Sequence, residues 1–148
     1  MRRLFSRLGR CRSGVSAVEF GVIAPAMIVL LAGLVDVAGA MQQTIRLENA
    51  ARAGAQYAMS FPENTAGIMT ATAAAVGGTG ATVAVVPAYC ACPGGSTAVV
   101  SCEGTPCGGA PAGVYVGITV TRPYAAIIGI GGYVLPSTLS GSAVARVR

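Results

Sequence analysis

Residues 20–35 form a run of 16 residues without a charged side chain, and the apolar character continues to Met41 with only Asp36 charged. Twenty-two helical residues rise about 33 Å, which matches the hydrocarbon thickness of a bilayer. A segment in lipid must satisfy its backbone hydrogen bonds internally and is therefore helical. The sequence thus predicts a transmembrane helix at about residues 20–41, and membrane lipid as its surroundings.

The positive charge of the chain lies ahead of this run. Five arginines within the first 12 residues account for the whole net charge of +5, because the five later arginines and the five acids cancel. Basic flanks are typical of the cytoplasmic side of a membrane segment. We therefore expect a cytoplasmic leader at residues 1–14 and an exported C-terminal part. Nothing beyond the leader is strongly basic, which argues against nucleic acid as a partner.

The helical pattern continues beyond the predicted span. Residues 42–60 are mostly good helix formers, and Phe61-Pro62 marks the end of this helical pattern. The sequence predicts one helix over residues 15–60, about 69 Å long, half of it in the membrane and half projecting. Pro25 lies inside it, where membrane helices tolerate a local kink.

Small residues recur every four positions in the projecting half of this helix. Ala50, Gly54 and Ala58 form a stripe of the kind that lets helix backbones approach closely. The stripe has two interpretations, contact with the helices of other subunits and packing against the protein's own domain.

A removable signal peptide is an alternative to the membrane anchor. Ala38 and Ala40 have the small-residue spacing of a secretory cleavage site, and a cut after Ala40 would leave a soluble secreted domain. Forty residues exceed the usual length of about 15 to 30 for such signals, and Glu19 and Asp36 interrupt the pattern.

The start of the apolar helix carries a more specific motif. Gly14, four residues "VSAV", Glu19-Phe20 and an apolar helix with an early proline resemble the processing site of type IV pilin precursors. The segment is most similar to TadE-like pseudopilins of the tight-adherence (Flp) pilus system, and "RLENAARAGAQYA" also resembles that family. The resemblance implies cleavage by a prepilin peptidase between Gly14 and Val15. Glu19 would then be the fifth mature residue and Phe20 the sixth.

The chemistry of Glu19 agrees with this resemblance. Cleavage would expose an α-amine on Val15 that is mostly protonated at neutral pH. Glu19 lies four residues later, on the same helical face and about 6 Å deeper. A lone carboxylate costs about 2.5 to 3.5 kcal/mol at the bilayer centre and less near the interface, so pairing with an amine offsets that cost. In an uncleaved single-pass anchor, Glu19 would instead reach the headgroups, and the protein would be a periplasmic scaffold.

The resemblance also implies partners and a location. The partners are the prepilin peptidase, other pilin and pseudopilin subunits through the N-terminal helix, and inner-membrane pilus assembly proteins. The location is the inner membrane, with a periplasmic C-terminal domain that becomes pilus-associated or extracellular after assembly. The exported part is much longer than the short major Flp subunit, which favours a minor pseudopilin. Many such precursors have Phe at the first mature position, and with Val15 there N-methylation is not assigned.

Four cysteines lie in the exported part, where an oxidising compartment favours disulfides: Cys90, Cys92, Cys102 and Cys107. A bond between cysteines two residues apart would be strained. We therefore expect two bridges linking "YCACP" to "SCEGTPC", in an order that the sequence leaves open. The spacing does not suit zinc, and the chain has no His.

Residues 61–148 are predicted to form a small α+β domain of the pilin-like kind, with an antiparallel sheet. Asn64 is placed to cap a helix at 65–76, and strands are expected at 81–86, 97–102, 113–121 and 140–148. The apolar, Gly-rich residues 124–136 are too short to span a bilayer. We expect them to form a buried loop, and the alternative is a contact surface that keeps the domain close to lipid or to partners.

The sequence gives little support for an enzyme. The chain has no His and no Lys, and the acids beyond the predicted membrane segment are scattered. The glycine-rich stretches lack the lysine of a phosphate-binding loop. We expect neither catalysis nor a cofactor or metal.

Overall fold

The computed structural model describes residues 15–93, 101–126 and 135–148. Within them lie two helices and three strands: α1 (Val15–Ser60), α2 (Thr65–Val76), β1 (Thr82–Ala91), β2 (Gly113–Pro123) and β3 (Thr138–Arg146). The strands form an antiparallel sheet in the order β1-β2-β3. The predicted α+β class is confirmed: a long apolar N-terminal helix continues into a small antiparallel sheet domain that contains two disulfides.

The turn between the helices follows the signals in the sequence. α1 ends at Ser60 shortly before Pro62, which lacks the N–H that another helical turn needs. Asn64 begins α2, because its side-chain oxygen accepts a hydrogen bond of 2.9 Å from the backbone N–H of Gly67. α2 ends at Gly77, whose φ of 62° is accessible to glycine at little cost.

β2 supplies the buried face of the sheet. Val116, Ile118 and Val120 alternate along it and are each at most 1% exposed, as the period-two pattern predicted. β1 lies at the sheet edge, and its register with β2 shifts between Val86 and Tyr89. Pro87 lies within that shift, where an edge strand tolerates a missing N–H. β1 therefore continues to Ala91, beyond the predicted end at residue 86.

The second half of α1 packs across this sheet and against α2. The core is built from small and branched residues: Leu47, Ala50, Ala51, Ala58, Ile68, Val116, Ile118 and Val120. Gly141 of β3 brings the two layers closest together. A Cβ at Gly141 would overlap the Glu48 nitrogen and the Leu47 carbonyl carbon, and it would lie 2.8 Å from the Cα of Glu48. β3 thus lies backbone to backbone on α1.

Two sequence predictions fall largely outside the described residues. Residues 97–100 of the expected strand at 97–102 are not described, and Ser101 and Cys102 are not in a strand. The expected buried loop at 124–136 is described only at its ends, through residues 124–126 and 135–136.

Candidate membrane anchor and processing site

The first half of α1 is not covered by other described parts of the chain, and we refer to residues 16–35 as the bare segment. None of residues 16–35 is buried, and the large apolar side chains along it are at least half exposed, including Phe20 at 68% and Leu30 at 73%. These 20 residues rise about 30 Å. An 18-residue window of the helix has a mean hydropathy of 2.3 and no buried residue, so α1 is long and apolar enough to cross a membrane. An uncovered apolar cylinder of this length is suited to lipid or to other helices.

The residues of the predicted processing motif lie at the start of this bare segment. α1 begins at Val15, and Gly14 lies outside the described residues. Glu19 lies four residues into the helix and is exposed, as is Phe20 beside it. Pro25 is also exposed, and α1 runs continuously through it. Because Glu19 is exposed, a group from another molecule can reach its carboxylate.

Asp36 marks the point where the C-terminal domain begins to cover α1. Its residue exposure is 1%, although its neighbours Val35 and Leu34 are 59% and 66% exposed. The Tyr124 hydroxyl donates a hydrogen bond of 2.8 Å to the backbone carbonyl of Asp36. A Cβ on Gly39 would lie 3.5 Å from the same hydroxyl oxygen, so Tyr124 lies across this turn of the helix. Sequence reasoning missed this contact because residues 88 positions apart make it.

The stripe of small residues is occupied by the protein's own domain. Ala50 and Ala58 are at most 1% exposed, and Gly54 is buried. A Cβ on Gly54 would overlap the hydroxyl oxygen of Thr72 on α2 and would lie 3.6 Å from the Cγ2 of Ile118. Of the two interpretations of the stripe, packing on the protein's own domain describes the contacts seen here.

Two disulfides join the end of β1 to the segment that follows residue 100. Cys90 is bonded to Cys102 and Cys92 to Cys107, with Cα–Cα distances of 5.3 and 5.4 Å. The sequence left this order open, and the structure gives a crossed pairing. Among the described residues, no three His, Cys, Asp or Glu side chains are grouped so that they could hold a metal ion.

The first half of α1 is uncovered, and its second half packs into a small disulfide-linked α+β domain. This arrangement is typical of proteins that carry one globular domain on a long apolar helix. Residues 14–56, which include the motif and most of the helix, match the family model described as TadE-like protein. The match confirms the resemblance that the motif indicated. The matched segment is 43 of the 148 residues. Neither a curated protein nor a solved structure gives a significant match to the chain.

Proposed function

We propose that this protein is a minor pseudopilin that takes part in the assembly of a Flp/Tad-type pilus or a related secretion apparatus. A prepilin peptidase cuts it between Gly14 and Val15. The main support is that Glu19 and Phe20 of the motif lie exposed on an uncovered apolar helix long enough to cross a membrane, within a family match that begins at residue 14. The role is structural, without catalysis.

In this proposal the protein crosses the inner membrane once. The basic leader, residues 1–14, stays in the cytoplasm, and the disulfide-linked domain lies in the periplasm or, after assembly, on the pilus. The bare segment of α1 is available to lipid and to the helices of other pilin subunits. The Glu19 carboxylate pairs with a protonated N-terminal amine, its own or a neighbouring subunit's, which lowers the cost of placing it in an apolar bundle.

The proposal competes with an uncleaved scaffold anchor and with a soluble domain cut after Ala40. The second alternative is disfavoured by packing. Ala40 is 5% exposed and Asp36 is 1% exposed, so a cut after Ala40 would remove two residues that the domain buries. The scaffold alternative leaves no role for Gly14 at its fixed distance from Glu19.

Cleavage is tested by expressing the full chain with and without a prepilin peptidase in a host that lacks one. Intact-mass measurement should show the loss of residues 1–14 only when the peptidase is present. Gly14→Leu should abolish that loss, because the enzyme must accommodate the residue before the cut. Loss of the same mass from Gly14→Leu would show that the site is wrong.

The role of Glu19 is tested separately from cleavage. Glu19→Ala should still be processed but should no longer co-purify with other pilin subunits after detergent extraction, because the carboxylate that pairs with an amine is gone. Glu63→Ala removes an exposed carboxylate from the turn before α2 and serves as the matched control. Normal co-purification of Glu19→Ala would contradict the amine-pairing account.

A further inference from the structure

An apolar groove lies between α1 and the start of β3, just beyond the bare segment of the helix. Its volume is about 410 Å³. Its walls are formed by Val37, Ala40, Met41, Thr44, Ile45, Leu135, Pro136 and Leu139. Thr44 is the only polar side chain among them, and its hydroxyl donates to the carbonyl of Ala40 at 3.0 Å. The groove therefore presents a hydrocarbon wall to whatever occupies it.

The height of this membrane-proximal groove follows from the anchor, and the argument rests on the proposed insertion of α1 in a membrane. With Glu19 held at one interface, Met41 lies 22 residues further, about 33 Å along the axis. That distance places the groove at the opposite hydrocarbon boundary. Asp36 lies about 26 Å from Glu19 and thus within the hydrocarbon layer. A carboxylate is costly there, and the domain covers it.

The burial of Asp36 requires that the domain enter the lipid layer with it. Tyr124 lies across α1 at Asp36, beside the lower end of the groove, and must share the depth of Asp36. The groove wall is exposed at the same edge of the domain, with Met41 at 63% and Ile45 at 58%.

The length and lining of the groove suit a lipid chain. From Val37 to Ile45 the helix rises about 12 Å, and every wall residue except Thr44 is apolar. The Thr44 hydroxyl donates to the carbonyl of Ala40, so an extended hydrocarbon chain can lie along this wall without desolvating a free hydroxyl. The position of the groove at the hydrocarbon boundary favours lipid as its occupant.

We propose that the membrane-proximal groove holds the acyl chain of a phospholipid from the exported leaflet. The globular domain then sits in the membrane interface and does not stand away from it on a stalk. This contact fixes the height and tilt of the domain before the subunit leaves the membrane for a filament.

The chain has no tryptophan, so single substitutions give unique fluorescent reporters of depth. The full chain, oxidised and reconstituted in phosphatidylcholine vesicles, carries Met41→Trp or Ile45→Trp in the groove. Ile28→Trp is the reference in the middle of the bare segment. Asn49→Trp is the matched control, exposed on the same helix and about 12 Å beyond Met41. Quenching of the groove reporters and of Asn49→Trp is measured with lipids brominated on the acyl chain close to the ester, and that of Ile28→Trp with lipids brominated near the end of the chain.

We expect both groove reporters to be quenched severalfold more than Asn49→Trp, to the same extent at all protein-to-lipid ratios. Quenching equal to that of Asn49→Trp at both groove positions would overturn the proposal. Quenching that disappears as the protein density rises would place a second copy in the groove and would also overturn it. An unquenched Ile28→Trp would refute membrane insertion itself, while cleavage after Gly14 is decided independently by the mass measurement.

Discussion

The contact between Gly141 and α1 gives a sharp test of how the domain is joined to the anchor. In Gly141→Ala the added methyl group would overlap the Glu48 nitrogen and the Leu47 carbonyl carbon. These are backbone atoms of a helix and cannot rotate away, so β3 must move off α1. Overpacking of this kind costs about 1 to 3 kcal/mol, and we expect the upper end because no flexible side chain can yield. The reduced entropy of the unfolded chain returns only about 0.4 to 1 kcal/mol.

A net loss of about 2 kcal/mol corresponds to a fall in melting temperature of roughly 8 to 16 °C for a domain of this size. The assay is thermal unfolding of the oxidised full chain in detergent, followed by near-ultraviolet circular dichroism of the tyrosines. Gly33→Ala is the control, because a Cβ there has no atom within 4 Å. A Gly141→Ala midpoint equal to that of Gly33→Ala would refute the backbone contact between β3 and α1.

Two further predictions concern the packing and the disulfides of the domain. Gly54→Ala should destabilise the domain by about 1 to 3 kcal/mol in the same assay. The effect should be smaller in a Thr72→Ala background, where the clashing hydroxyl is absent, and equal effects in both backgrounds would contradict the packing. Cys90→Ala combined with Cys102→Ala should leave no free thiol in the exported domain, whereas Cys90→Ala combined with Cys107→Ala should leave two. A thiol titration that finds two free thiols in the first double variant and none in the second would contradict the pairing seen in the structure.

The sequence carries strong local signals for the helices and for β2. Pro62 marks the end of α1, and Asn64 marks the start of α2. The alternation of Val116, Ile118 and Val120 identifies the buried face of the sheet. The extent of β1 was underestimated because Pro87 breaks the alternation, and only the pairing with β2 shows that the strand continues.

Features that depend on long-range contacts were not predictable. Nothing near Asp36 in the sequence shows that Tyr124 crosses the helix there, so Asp36 read as a polar interruption of a membrane span. The order of the disulfides likewise depends on how the chain folds between Cys92 and Cys102. The motif around Glu19 was recognisable because it is contiguous, whereas the groove beside Met41 joins segments about 90 residues apart.

The most direct test of the whole account is the N-terminal sequence of the protein purified from its native membrane fraction. We expect a chain that begins at Val15, with Glu19 as its fifth residue. A chain that begins at Met1 would identify an uncleaved anchor, one that begins at Met41 would identify a secreted domain, and either result would contradict the pseudopilin assignment.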